Sequence, residues 1–465
     1  MPRVALTFFA ALVASLSLMA APSTASAETV IESSALVNGY PATLTFKVTA
    51  RADSDITDVT LNYAIKGRGT SALDKPKNLT PARNLSTEVV IQVNSSSNYI
   101  PVGSDFTYHW EITTADGGTY RGPDQAFFFL PPGKDWKNVS NEFMTVYYHG
   151  DRENIASAYL KAGVETYERI GKQLYNITLK QIPVKVIMFA DEAESDLARP
   201  GSGSTYDSAV TTCGTKVEID IILLIPVTCG TPDRTDTLRH EFAHTLNETA
   251  GEGVPGERGL GKLPSWMDEG AAVYAQSVPG EFESDFASAV RSGRLIPFSQ
   301  MAVPTSNPNQ VGVFYGQSWA MVSYLINKGG PEAYSRLMAT IKAGKRYDQA
   351  ISEVYGFADL NAFESAFKSA VGATQQASPT VRPTTAATPT PRAQASATAT
   401  RTSAAAASPG AGDDDSVGRG TIVIGGIAVL FLLAAVFALL ISLMMANNRK
   451  SSAGNSPGSP PPESR

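Results

Sequence analysis

The sequence predicts a multidomain chain: an N-terminal all-β, immunoglobulin-like sandwich, a larger α+β domain, a disordered stalk and a single transmembrane helix. Three observations predict it. Apolar and polar residues alternate in short runs up to about residue 130, helical spacing takes over after about residue 150, and beyond residue 372 the chain turns to Ala, Thr, Pro and Ser before a long uncharged apolar run. At 465 residues the chain exceeds one ordinary domain, which agrees with this division.

Residues 1–27 read as a signal peptide. Arg3 precedes an apolar run from Val4 to Ala21, and Ala25-Ser26-Ala27 supplies the small-x-small cleavage pattern. From 28 to 132, segments such as Ala42-Thr43-Leu44-Thr45-Phe46-Lys47-Val48 and Glu88-Val89-Val90-Ile91-Gln92-Val93 alternate between polar turn clusters, the pattern of a β-sandwich. Phe106–Ile112 and Thr119–Arg121 flank Ala115-Asp116-Gly117-Gly118, which predicts a hairpin. Pro131-Pro132-Gly133 closes this domain.

The α+β domain spans 135–372. Ile155, Ala158, Tyr159, Ala162, Thr166 and Ile170 recur at helical spacing, and 182–189 reads as a buried strand. Residues 318–327, 332–343 and 360–371 are again helical by period. The stalk, 373–420, lacks the large apolar residues a core requires; its reach runs from about 35 Å as a coil to about 120 Å as an extended polyproline-like chain. Residues 421–446 carry no charge and are long enough to cross about 30 Å of hydrocarbon. Arg449, Lys450 and Arg465 follow that run, so the tail 447–465 is expected in the cytoplasm and the globular part outside the cell, held by one membrane span.

A formal net charge of −6 offers no basic surface for nucleic acid. Cys213 and Cys229, the two cysteines of the chain, fall in the exported part and are expected to form a disulfide. With 15 residues between them, the chain must double back to bring the sulfurs together.

The segment Asp236-Thr237-Leu238-Arg239-His240-Glu241-Phe242-Ala243-His244 contains His-Glu-x-x-His. On a helix, residues i and i+4 share a face, so two imidazoles there can converge on one metal ion with the glutamate beside it. Thr235 or Asp236 suits the N-cap, and Leu238, Phe242 and Leu246 supply the packing stripe. A site with an open fourth position needs a third protein ligand. The Gly and His that the metzincin pattern requires after the second histidine are replaced by Asn247 and Ala250. Downstream, Pro264-Ser265-Trp266-Met267-Asp268-Glu269-Gly270-Ala271-Ala272-Val273-Tyr274 offers Glu269 at a helix start, with Asp268, Glu252 and Glu257 as rivals.

These two segments together resemble the gluzincin peptidases, and within them the peptidase MA-like group. The resemblance covers about 138–371 and is strongest over 237–276. It implies a thermolysin-like zinc peptidase acting on peptide or protein substrates, with Zn²⁺ held by His240, His244 and Glu269 and with Glu241 as general base. Tyr315, in Phe314-Tyr315-Gly316-Gln317, is by the same resemblance the candidate oxyanion donor; its alternative is a core aromatic. One departure stands out: 24 residues separate His244 from Glu269, longer than in thermolysin, with the excess in the Gly-rich stretch 251–262. His149 reads as a strand-end residue and His109 as part of the sandwich. The rival reading from another class is an inactive peptidase-like adhesion or binding protein displayed on its stalk, since fold alone does not fix activity.

Overall fold

The computed structural model describes residues 29–69, 71–95, 98–179, 183–199, 213–253 and 262–373. The expected signal segment 1–27, the span 421–446, the tail 447–465 and the stalk beyond residue 373 lie outside them. Among the described residues no helix is long and apolar enough to cross a membrane.

Seven strands form the N-terminal region: β1 (Thr29–Gly39), β2 (Thr43–Ile65), β3 (Ser71–Asp74), β4 (Ala82–Gln92), β5 (Asp105–Thr114), β6 (Thr119–Arg121) and β7 (Gln125–Phe128). The sequence leads us to expect a β-sandwich; hydrogen bonding joins all seven strands into one sheet through β2, which folds over into two layers. The physical reason is the length of β2. Its 23 residues would run about 75 Å if straight. The strand therefore bends, and its register breaks between Arg51 and Ile56. The first half pairs with β1 and β4, and the second half with β5 and β3. The layers still pack face to face, with the Phe46 and Tyr108 rings 4.8 Å apart at 77°. The hairpin forms as expected, with Thr113 opposite Thr119 and a positive φ at Gly117.

Next come β8 (Trp136–Ser140), β9 (Met144–His149), helix α1 (Glu153–Thr166, continued by a π-helical stretch Tyr167–Leu174), β10 (Val184–Met188), α2 (Glu192–Ala198), β11 (Gly214–Glu218) and β12 (Ile221–Leu224). The five strands form a mixed sheet in the order β11-β12-β10-β9-β8, so among the described residues β11 is an edge. Helices α3 (Asp236–Asn247), α4 (Ser265–Ala275), α5 (Glu281–Ser292), α6 (Val311–Lys342), α7 (Tyr347–Tyr355) and α8 (Leu360–Ala370) complete the domain. The two helices expected over 318–327 and 332–343 are the two halves of α6, which breaks where Gly330 takes a non-helical φ of +74° before Pro331.

Side chains of a strand alternate between faces, and both faces of this sheet are covered. Val184, Val186, Met188, Ile222 and Leu224 enter the core shared with the helices. Ile187, Ile221, Leu223 and Ile225 face the other way and join the core of the N-terminal β region. A β-carbon on Gly103 would meet Ile187 and Ile221 at 3.2–3.3 Å, so the two regions touch closely. Ion pairs cross the same junction, from Arg68 to Glu218 at 2.6 Å and from Lys185 to Asp105 at 3.3 Å. The N-terminal region is thus the second wall of the sheet that carries the candidate site.

Candidate metal centre

Leu238, Phe242 and Leu246 are fully buried, so the apolar stripe of α3 sets which way the helix faces. Phe242 stacks on Phe143 with centroids 6.2 Å apart. His240 and His244 then lie one turn apart on the remaining face, their ring centroids 5.0 Å apart. Thr235 occupies the N-cap position, yet its hydroxyl donates to Asp233 rather than capping the helix.

Helix α4 begins after Pro264, whose extended backbone ends the preceding segment. A β-carbon on Gly270 would fall on the Ser318 carbonyl of α6. The glycine therefore lets α4 and α6 approach closely, and this approach carries Glu269 and Tyr315 into one site.

Glu269 Oε2 lies 3.4 Å from His240 Nε2 and 3.6 Å from His244 Nε2. A tetrahedral ion with bonds of about 2.0–2.1 Å holds its ligand atoms roughly 3.3–3.4 Å apart, close to these two spacings, and all three atoms lie within 4.8 Å of one another. These three atoms are buried and have no hydrogen-bond partner. Buried polar atoms ordinarily find a partner, and a cation at their centre would satisfy all three. Two imidazoles and a carboxylate are a donor set that zinc accepts.

The opposite edges of the imidazoles are anchored. Asp268 Oδ1 sits 2.9 Å from His244 Nδ1 as an ion-pair partner. Asn247 Nδ2 donates to the same carboxylate at 2.7 Å, and the Tyr175 hydroxyl donates to Asn247 Oδ1 at 2.5 Å. His240 Nδ1 lies 3.3 Å from Gln276 Nε2, while Gln276 Oε1 has no partner. Turning that amide over gives Oε1 the Nδ1–H and leaves the His240 Nε2 lone pair for an ion.

Burial, with His244 nearby, pushes His240 down to about 4, so this imidazole is neutral. Burial acts the same way on His244, but Asp268 and then Glu269 outweigh it and raise the group to about 9. Burial raises Glu269 to about 8. Asp268, which burial alone would raise, is held below the usual carboxylate range by His244.

Glu241 is buried between the histidines, and its Oε2 accepts the backbone N–H of Lys216 on β11 at 2.8 Å. Tyr315 is also buried, its ring 6.2 Å from that of His240, and its hydroxyl bonds Glu269. The rivals for third ligand lie elsewhere. Asp268 faces the outer nitrogen of His244, and Glu252 accepts the Leu263 N–H at 2.9 Å. Glu257 is outside the described residues.

The Cys213–Cys229 disulfide forms with Cα atoms 6.4 Å apart, and the doubling back it needs is the β11–β12 hairpin. His149 ends β9 and pairs with Glu194 at 2.8 Å; His109 sits on β5 beside Asp124 at 3.2 Å. Sequence reasoning missed Gln276, Tyr175 and the Lys216 backbone. Asn247 could have been found, because it lies three residues after His244 on the same helical face.

The Peptidase MA superfamily model matches residues 215–373, about a third of the chain, and the match includes His240, Glu241, His244, Glu269 and Tyr315. No curated protein matches the sequence. Among solved structures, the M1 zinc metallopeptidase from Deinococcus radiodurans is 11% identical, covering 74% of this chain and 93% of that one with a TM-score of 0.30. A mutant of that enzyme bound to a Tyr-Ser-Ala substrate is 11% identical over 73% of this chain and 92% of that one, TM-score 0.27. A Br derivative of BhCBM56 is 12% identical over 20% of this chain and 88% of that one, TM-score 0.15.

Proposed function

We propose that this chain is a zinc-dependent peptidase of the gluzincin type, with His240, His244 and Glu269 as metal ligands and Glu241 as general base. The observation that carries the reading is the convergence of three buried, unpartnered ligand atoms beside an anchored carboxylate. The superfamily match supports peptides or proteins as the substrate class.

A zinc ion in this site would acidify a water and polarise a peptide carbonyl. Glu241 accepts a proton from the water as the water oxygen bonds to the carbonyl carbon, and delivers it to the amine nitrogen as the C–N bond breaks. Asp268 and Gln276 keep the two imidazoles turned so that each presents Nε2 inward. Tyr315 brings a hydroxyl donor into the site, and we assign it to the carbonyl oxygen as that oxygen gains charge. Its hydroxyl must leave Glu269 to do so.

The apolar segments 4–21 and 421–446 support an exported domain held on a stalk by a single membrane span, with the catalytic part outside the cell. Hydrolysis of a mixed peptide library by the purified chain, beside Glu241→Gln, tests the proposal. Cleavage that the substitution lowers by about 10³-fold or more supports it; equal rates in both proteins, or none in either, contradict it.

A further inference from the structure

We propose that edge strand β11 is the positioning element for Glu241, with the Lys216 backbone N–H as the anchor and the Cys213–Cys229 disulfide as the brace that holds the strand. The inference rests on the peptidase reading for the role of Glu241, and on geometry for the rest.

In an antiparallel pair, successive N–H groups point alternately toward the partner strand and away from it. Among the described residues β11 pairs with β12 alone, so its outward N–H groups face no described strand. Lys216 directs such a group at Glu241 Oε2, 2.8 Å away. A backbone donor cannot rotate out of place as a side chain can. It holds one carboxylate oxygen and leaves Oε1 as the oxygen with capacity for a proton.

Two further contacts tie the same strand to the same helix. A β-carbon on Gly214 would lie 2.6 Å from Thr237 Cγ2 and 2.9 Å from Glu241 Cγ, so the strand runs against the stem of the glutamate. The Lys216 ammonium pairs with Glu248, just beyond the end of α3. Main chain and side chain of one residue thus grip the helix at positions 241 and 248.

An edge strand of five residues, with a register shift between Lys216 and Glu218, has little pairing to hold it in place. The disulfide links the residue before β11 to a residue beyond β12 and closes the hairpin at its open end. Ile225 N–H donates to the Cys213 carbonyl at 2.9 Å, so the cross-link adjoins the last rung of the ladder. Both sulfurs are buried. His240 and His244 are held in place by the buried stripe Leu238, Phe242 and Leu246 of α3, and Glu269 by α4, whereas the Glu241 carboxylate takes its hydrogen bond from β11. Loosening β11 should therefore disturb the base and spare the metal.

The test compares full-length wild type with Lys216→Pro, Lys216→Ala and the double variant Cys213→Ser with Cys229→Ser. Proline removes the N–H at an outward edge position where a sheet tolerates it, whereas alanine keeps the N–H and removes the ammonium. Zinc affinity, read by chelator competition, is expected to stay within about threefold of wild type in all three. Turnover is expected to fall at least tenfold with KM unchanged in Lys216→Pro and in the cysteine variant, and to remain at least fivefold higher in Lys216→Ala than in Lys216→Pro. A matching loss of zinc affinity, or equal turnover in the two Lys216 variants, would overturn the proposal. Hydrogen exchange at the Lys216 amide gives a readout that needs no activity and no folded proline variant. We expect slow exchange in wild type and at least tenfold faster exchange in the cysteine variant and in Glu241→Ala, with α3 amides unchanged. If wild type cleaves no peptide, the peptidase reading fails alone; fast exchange at Lys216 in wild type overturns the anchor.

Discussion

Asp268 Oδ1 lies 2.9 Å from His244 Nδ1, so the residue immediately before one candidate ligand orients another. The consequence is a rigid unit, because Asn247 holds the same carboxylate at 2.7 Å.

Replacing Asp268 with Ala should weaken zinc binding by about 10- to 100-fold, the usual effect of losing such a partner. Chelator competition measures it. Unchanged affinity would mean that the contact does not orient His244.

Zinc affinity should rise with pH between 6 and 9. His244 is raised to about 9 and Glu269 to about 8, so at neutral pH the pair holds at least one proton that an ion must displace. Above these values the ligands are already free. Each displaced proton contributes up to about tenfold in apparent affinity per pH unit. Titration at several pH values, with proton release followed in weak buffer, checks the sign.

Gly270→Ala should cost about 1–3 kcal/mol, because the new methyl falls on the backbone of Ser318 and α4 must move off α6. The same movement displaces Glu269. A lower melting temperature together with weaker zinc binding is the expected result, read by calorimetry and metal titration.

Removal of residues 28–130 should leave the rest unable to fold stably. It would uncover Ile187, Phe189, Ile221, Leu223 and Ile225, all buried now. At about 1.5–3 kcal/mol each, these five side chains sum to about 10 kcal/mol, the size of a domain's whole net stability. Circular dichroism and solubility of the truncated chain test this; a soluble, cooperatively unfolding product would show that the β region is a detachable module.

Much of the site was legible because it is local. Two histidines four residues apart need only a helix to bring them together, and Leu238, Phe242 and Leu246 supply that helix its buried face. Glu269 was legible because Pro264 and the alanines behind it mark a helix start. The β strands were legible by alternation, but their pairing was not, since the bend in β2 at 51–56 depends on partners up to 60 residues away. The shared core left a sign in sequence, a stretch over 182–189 that is apolar on both faces but for Lys185, which implies cover on both sides. The anchor on Glu241 was invisible because a backbone N–H looks the same in every residue except proline. Asp268 was read as a rival ligand because sequence cannot say which nitrogen of His244 a carboxylate meets.

The most direct test of the central claim is the zinc content of wild type, Glu241→Gln and Glu269→Ala, measured by elemental analysis beside peptide hydrolysis. The account predicts about one zinc and activity in wild type, about one zinc without activity in Glu241→Gln, and little bound zinc in Glu269→Ala. Zinc retained at wild-type affinity in Glu269→Ala, or a zinc-loaded wild type that cleaves no peptide, would contradict it.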